Sequence, residues 1–348
     1  MSREATEILR WYDRHARNLP WRVPPRAGRA ANPYHVWLSE IMLQQTTVAV
    51  VKAYFMRFIT RWPRVDDLAA ADDADVMAAW AGLGYYARAR NLLKTARRVV
   101  ELGAFPDSQD KLRDLPGVGP YTSAAIAAIA FGQRAVVVDG NVERVMTRYF
   151  ALRDPLPGVK KQIRERADDL TPQERAGDYA QAVMDLGATI CTPRQPACGI
   201  CPWQTECKAR KGGNAESLPV RAPKIEKPTR YGVAFYGVRI DGAILVERRP
   251  ETGLLGGMLG FPGSDWTERA TTSRPPCEAA WLTLPKPVTH VFTHFRLELN
   301  VSVAILDMET KPSTGEFMAP HRFSDADLPT VFRKVYRIAH PGLMEHSE

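Results

Sequence analysis

Nowhere in its 348 residues does the chain carry an apolar run approaching the ~20 residues that span a bilayer. A membrane-spanning helix is therefore not expected. The opening MSREATEILRWYDRHARNLPW is charged and lacks the apolar centre of a signal peptide. No internal repeat is present, which excludes a solenoid or propeller. Cysteine is scarce: five in all, too few for a disulfide-built scaffold of this length. What remains is ordinary for a soluble globular protein, with 45% apolar and 25% charged residues, and a cytoplasmic location is expected. The length leaves room for two domains. The formal net charge of +8 favours a polyanionic partner such as nucleic acid, although many basic proteins bind none.

The few cysteines are not scattered. Four fall within CTPRQPACGICPWQTEC, residues 191–207. In a reducing compartment such clustering reads as metal ligation rather than as two disulfides. Cys191, Cys198, Cys201 and Cys207 are separated by six, two and five residues. Four thiolates complete either a zinc site or an iron–sulfur cluster. A lone CxxC pair departs from the paired knuckles common in zinc sites, which tilts the reading toward iron. Cys277, alone in SRPPCEAAW, reads as a bystander.

Residues 1–210 carry helical periodicity nearly throughout, as in VWLSEIMLQQ, VAVVKAYFMRFI and YARARNLLKTARRVVELG. Asn32-Pro33 reads as a helix start. Asp72, Asp73 and Asp75 lead a further helix through Trp80. Thr122–Gly132 is small and apolar on all sides, as expected of a helix buried at the centre of a bundle. Residues 212–230 are rich in Gly, Pro and Lys, a composition that suits an extended linker. Beyond it YGVAFYGVRI, AILVERR, VTHVFTHFRLELNVSVAIL and a closing KVYRIA alternate in the manner of strands. The expected organisation is a helical domain over 1–211, a linker over 212–230 and a smaller α+β domain over 231–348.

Within the helical part, LPGVGPYTSAAIA (115–127) sets Gly117 and Gly119 around Val118 ahead of the buried helix. Such a turn presents backbone N–H groups outward as a phosphate cradle, although a plain helix–helix corner shares the pattern. Pro-Gly-Val-Gly before such a helix is the helix–hairpin–helix signature of DNA-backbone binding, here spanning about 112–132.

The hairpin, the aspartate in VVDGNVERV (137–145) and the four-cysteine loop resemble the endonuclease III superfamily. NLPWR (18–22), NPYHVWLSEIMLQQT (32–46), AGLGYYARARN (81–91) and LPGVGPYT (115–122) narrow the resemblance to the adenine DNA glycosylase (MutY) family over most of residues 8–210. The resemblance implies a mainly α helix–hairpin–helix glycosylase domain with a [4Fe–4S] cluster on Cys191, Cys198, Cys201 and Cys207. It implies a C-terminal α+β Nudix/MutT-like domain, and a monomer acting on double-stranded DNA with adenine opposite 8-oxoguanine or guanine, on the nucleoid.

The implied reaction needs a proton delivered to adenine, negative charge beneath the sugar as an oxocarbenium ion develops, and a filler for the gap left by the extruded base. Glu40 lies in the apolar stretch WLSEIML, which would raise its pKa toward general-acid duty; a surface glutamate is the plain alternative. The resemblance makes Glu40 the acid. Asp139 alone could be a turn or cap residue; the resemblance places it against the sugar, with Asn141 orienting it. Strand-cleaving members carry a lysine at the position of Tyr121, so a monofunctional enzyme is expected, with Tyr121 near the sugar or packed at the hairpin. Gln44, Gln45 and Tyr85 are the expected duplex probes, an aromatic face replacing lost stacking. Arg88 suits a phosphate contact or a solvated helix face. Arg22 and Asp185 are weaker candidates for the adenine pocket.

In the second domain no glutamate-rich Nudix helix follows Gly256-Gly257, so diphosphate hydrolysis is not expected. VFTHF (291–295) aligns with the family loop that senses 8-oxoguanine, usually FSH, giving Phe292, Thr293 and His294 as recognition residues. Leu259 and Gly260 depart from the family's GGMWEFP. Two other readings stand beside this one: an endonuclease III-like glycosylase/lyase, against which Tyr121 and the long second domain count, and a non-catalytic lesion-binding protein.

Overall fold

Caps written in the sequence set several helix starts. Asn32 accepts the Tyr34 N–H at 2.9 Å, with Pro33 at the first helical position. Asp72 accepts the Ala74 N–H at 2.8 Å, and Asp139 the Val142 N–H at 2.8 Å. The computed structural model describes residues 1–223, 226–250, 253–269 and 273–345, and the chain divides into two units, 1–223 and 224–348.

The first unit is helical: α1 (Arg3–His15), α2 (Pro33–Leu43), α3 (Val48–Arg61), α4 (Val65–Ala69), α5 (Asp73–Trp80), α6 (Ala87–Glu101), α7 (Gln109–Arg113), α8 (Pro120–Phe131), α9 (Gly140–Phe150), α10 (Lys160–Leu170), α11 (Ala176–Thr189) and α12 (Lys208–Lys211). Two apolar cores share it. One gathers α2 through α8 around Trp37, Phe55, Phe58 and Trp80. The other joins α1 to α9, α10, α11 and Trp203. Helix α8 lies between them, Ile129 touching both. Its small side chains are buried on every face, because a central helix needs neighbours on all sides. None of the described helices is long and apolar enough to cross a membrane.

The first part of the stretch read as linker packs on this unit. Leu218 is buried and its carbonyl accepts from Arg148 Nε at 3.0 Å, while Arg221 bridges to Leu156. The Leu156 N–H also bonds to the Val220 carbonyl at 2.9 Å, so buried leucine and backbone pairing together seat the segment.

The second unit is a mixed sheet with a covering helix: β1 (Thr229–Arg239), β2 (Ile244–Arg248), β3 (Leu259–Gly260), β4 (Leu282–Thr283), β5 (Val288–Val291), β6 (Arg296–Leu306), β7 (Glu316–Met318) and α13 (Thr330–Glu345). Strands β1 and β6 run parallel, Thr229 opposite Arg296 through Arg239 opposite Leu306. Strand β2 pairs antiparallel with β1, β3 and β7, and β4 and β5 pair antiparallel with β6.

The closing KVYRIA, expected as a strand, is part of α13. Val331, Val335 and Ala339 recur every fourth residue and are fully buried against the sheet, a period that six residues alone could not separate from alternation. Gly260 also gains a reason: a Cβ there would lie 2.6 Å from the Phe332 ring, so α13 occupies the side-chain space that residue 260 lacks. Leu259 is buried in the same core.

Candidate active site

Five segments of the first unit line a cavity of about 490 Å³. The segment before α2 contributes Arg17, Trp21 and Arg22; α2 and the turn after it contribute Ser39, Glu40 and Gln44; α8 contributes Tyr121; and the start of α9 contributes Asp139 and Asn141. Helix α11 closes it with Gln181, Met184 and Ala188, one face at helical spacing.

Glu40 is 7% exposed, because α2 is apolar around it and buried nearly throughout. Its carboxylate accepts the Tyr121 hydroxyl at 2.8 Å. Burial, aided by the Asp139 charge, pushes its pKa up to about 7 against the pull of Tyr121 and Arg22. Tyr121 also lies 3.5 Å from Met184 Sδ, and burial followed by the two carboxylates raises its pKa well above the ordinary value.

Asp139 caps α9. One carboxylate oxygen accepts the Val142 N–H and the other the Asn141 side-chain amide, each at 2.8 Å. Burial raises its pKa while these donors and Arg144 oppose the rise. Arg144 in turn donates to Asn141 Oδ1 at 2.9 Å and to the Cys191 carbonyl at 2.8 Å. Among the described residues lining the cavity there is no lysine.

Asp185 does not line the cavity. It sits one position round the helix from Met184, fully buried, and pairs with Arg17 at 2.5 Å and Arg22 at 2.7 Å. The pair offsets the burial that opposes the Arg22 charge. The expected pocket residue is thus the anchor of two arginines that do face the cavity. Arg17, Ser39, Trp21, Gln181 and Met184 escaped the sequence reading. Trp21 adjoins Arg22 in the quoted NLPWR, but helix spacing alone could not show which face of α11 turns inward.

The corners at Gln45 and Tyr85 are exposed, both in the left-handed backbone region at φ 60° and 51°. Gln44 points the other way, into the cavity, its amide 3.4 Å from Thr122 Oγ1. Arg88 is not a fully solvated residue. Its guanidinium is half-buried and donates to carbonyls of both corners: Ile41, Met42 and Gln44 on one side, Leu83 and Gly84 on the other. Those carbonyls lie where α2 ends and before α6 begins, and an arginine in reach satisfies them.

The hairpin between α7 and α8 keeps its outward donors only in part. The Val118 N–H bonds to the Leu115 carbonyl at 3.1 Å and its side chain is buried, so Val118 offers no free donor. Gly117 adopts φ 73° and packs on Asn91, whereas Gly119 has φ −88° with open space where a Cβ would point. No side chain caps the start of α8, which leaves its first amides for an anion.

Phe292, Thr293 and His294 lie in the second unit, at the turn joining β5 to β6, where the Phe292 N–H bonds to the Phe295 carbonyl at 2.9 Å. Phe292 is anchored between Trp266 and Phe295; Thr293 and His294 are exposed at the tip.

The four clustered cysteines are free thiols whose side chains line one enclosure with Arg148 and Arg210. Arg148, 1% exposed, donates to the carbonyls of Thr192 at 2.6 Å and Pro193 at 2.9 Å and lies 3.4 Å from Cys191 Sγ. No three described His, Cys, Asp or Glu side chains converge on a single ion position. The four thiols line one shared space, so a single group could draw on all of them.

This is the architecture of the helix–hairpin–helix DNA glycosylases. Residues 38–173 match the HhH-GPD superfamily of base excision DNA repair proteins, 191–207 the iron–sulfur binding domain of endonuclease III, and 233–337 the NUDIX domain. A thermostable thymine-DNA glycosylase of known structure is 30% identical, with a TM-score of 0.52 over 60% of this chain and 95% of its own. Endonuclease III in a non-covalent DNA complex shares the fold at 24% identity, with a TM-score of 0.50 over 61% of this chain and 99% of its own. Within that class the chain belongs to the adenine DNA glycosylase family. The adenine DNA glycosylase of Homo sapiens is 34% identical over 95% of this chain and 73% of its own length. That of Mycobacterium tuberculosis is 39% identical over 69% and 76%.

Proposed function

We propose that this glycosylase hydrolyses the N-glycosidic bond of adenine paired with 8-oxoguanine or guanine in double-stranded DNA, leaving an abasic site. The observation that carries the reading is a pair of carboxyls lining one cavity, Glu40 buried and Asp139 partly buried, with a tyrosine where a strand-cleaving enzyme needs an amine. Glu40, which holds its proton to about pH 7, delivers it to the ring of the extruded adenine. The Tyr121 hydroxyl then donates to the carboxylate left behind. Asp139, fixed by Val142 and Asn141, sets negative charge against the sugar as positive charge develops there. Arg22, held by Asp185, lines the base pocket. With no lysine to form a Schiff base, water completes the reaction.

Gln45 and Tyr85 enter the duplex around the lesion, Gln44 reaches from the same turn, and Gly117, Gly119 and the open start of α8 hold the backbone. Phe292 supports Thr293 and His294, which meet 8-oxoguanine. A [4Fe–4S] cluster would be held by Cys191, Cys198, Cys201 and Cys207 and would supply four iron–thiolate bonds that fix the loop.

The test is incubation with duplexes carrying adenine opposite 8-oxoguanine, adenine opposite guanine, or thymine glycol, with and without hot alkali, beside Glu40→Gln. Adenine loss that becomes strand breaks chiefly after alkali, and is absent in the variant, is the expected result. Cleavage at thymine glycol without alkali would favour the lyase. Binding without cleavage of any duplex would favour a lesion sensor.

A further inference from the structure

We infer that Arg88 is a positioning residue that locks the Gln45 and Tyr85 corners into one rigid wedge, so that both probes enter the duplex together. The inference rests on the reading of Gln45 and Tyr85 as duplex probes. Both residues hold φ values, 60° and 51°, that ordinary L-residues adopt only at a free-energy cost. Both are exposed, Tyr85 at 57%, so apart from the Arg88 guanidinium over the Tyr85 ring their own side chains bury little that could offset that cost. The support comes from below. Arg88 Nη1 donates to the carbonyls of Ile41 and Met42, each at 3.2 Å, and of Gln44. Nη2 donates to the carbonyls of Leu83 at 3.0 Å and Gly84 at 3.3 Å, and to Thr46 Oγ1 at 3.4 Å.

The first three carbonyls are those a helix C-terminus leaves without partners, and a cation there complements the helix dipole. The guanidinium also lies 5.3 Å from the Tyr85 ring centre and 5.4 Å from that of buried Trp80. The Trp80 indole donates to the same Gly84 carbonyl at 3.0 Å. Among the described residues Arg88 forms no ion pair with a carboxylate, and its charge is directed at carbonyls, the Thr46 hydroxyl and two rings. A planar fork serves two corners at once; a lysine ammonium is a single point and reaches one.

The test compares Arg88→Lys and Arg88→Gln with Gln45→Ala and Tyr85→Ala in the full-length, cluster-loaded protein. Single-turnover rates are measured on a paired duplex, adenine opposite 8-oxoguanine, and on the same strand with the target adenine in a small bulge, where extrusion needs little work. Misplaced probes should slow the paired substrate about ten- to a hundredfold in both Arg88 variants, and the bulged one only a few-fold. In the Tyr85→Ala background, Arg88→Lys should add little further loss, as expected of residues acting as a unit. The salt dependence of duplex binding should be unchanged. A salt slope lower by about one in Arg88→Gln would instead make the residue a phosphate contact. Equal slowing of both substrates, or full additivity with Tyr85→Ala, would overturn the wedge. If Gln45→Ala and Tyr85→Ala leave the paired substrate unaffected, the duplex-probe reading fails, and the wedge with it. Should Arg88→Lys be poorly folded, Arg88→Gln, whose planar amide still reaches one corner, carries the same comparison.

Discussion

Glu40→Gln separates what the acid does for catalysis from what it costs the fold. A carboxyl whose folded pKa is raised from 4.5 to about 7 binds its proton more tightly folded than unfolded. Its effect on stability is therefore neutral below pH 4.5, increasingly unfavourable from there to about pH 7, and constant above. The difference, at roughly 1.4 kcal/mol per pH unit, amounts to about 3 kcal/mol above pH 7. Glutamine keeps an acceptor for the Tyr121 hydroxyl and carries no charge, so that pH-dependent loss disappears. Any penalty from placing an amide among apolar neighbours is independent of pH and cancels when two pH values are compared. Melting of wild type and variant at pH 5 and pH 8 should show a gap between the two proteins that widens toward pH 8 by about 5 °C or more, given some 2–4 °C per kcal/mol for a domain near this size. The variant should be catalytically silent at both values. Identical pH dependence of melting in the two proteins would refute the buried-acid argument, because a solvated glutamate has nothing to relieve.

Tyr121→Phe removes the donor that favours ionised Glu40, so the acid should keep its proton to higher pH. With a hydrogen bond to a charged group worth about 1.5–3 kcal/mol, the alkaline limb of the single-turnover pH profile should move up by about 1–2 pH units; an unmoved limb or a downward shift would count against the contact. Gly117→Ala should destabilise the first unit by about 2 kcal/mol, since φ 73° is unfavourable for alanine and Asn91 lies 2.9 Å from the new Cβ. Gly119→Ala meets nothing within 4 Å and should melt like wild type yet bind duplex more weakly, the methyl standing where a phosphate approaches; unchanged binding would remove this turn from the DNA interface. Gly260→Ala forces a Cβ to 2.6 Å from the Phe332 ring, and should lower the unfolding midpoint of the second unit by the equivalent of about 1–3 kcal/mol.

The sequence alone determined the features that act over a few residues of chain. The Asn32 and Asp72 caps, the turn fed by Gly117, the cysteine spacing over 191–207 and the uniformly small α8 each write their consequence locally, and each could be read there. So could Glu40 as a carboxyl in an apolar helix and Tyr121 as the absence of an amine. Tertiary structure decided what depends on a partner far along the chain. Asp185 faces Arg17, 168 residues away, and becomes an anchor rather than a pocket wall. Arg88 reaches back more than forty residues to carbonyls at the end of α2, a set of partners that its own stretch of sequence does not reveal. The segment 334–339 alternates well enough for a strand, yet its buried positions are set by a sheet that begins a hundred residues earlier. Glu40 holds its proton to about pH 7 only because α8, α9 and the segment before α2 close over it. Residue type and spacing fix local geometry; desolvation and through-space charge exist only once the chain has brought distant segments together.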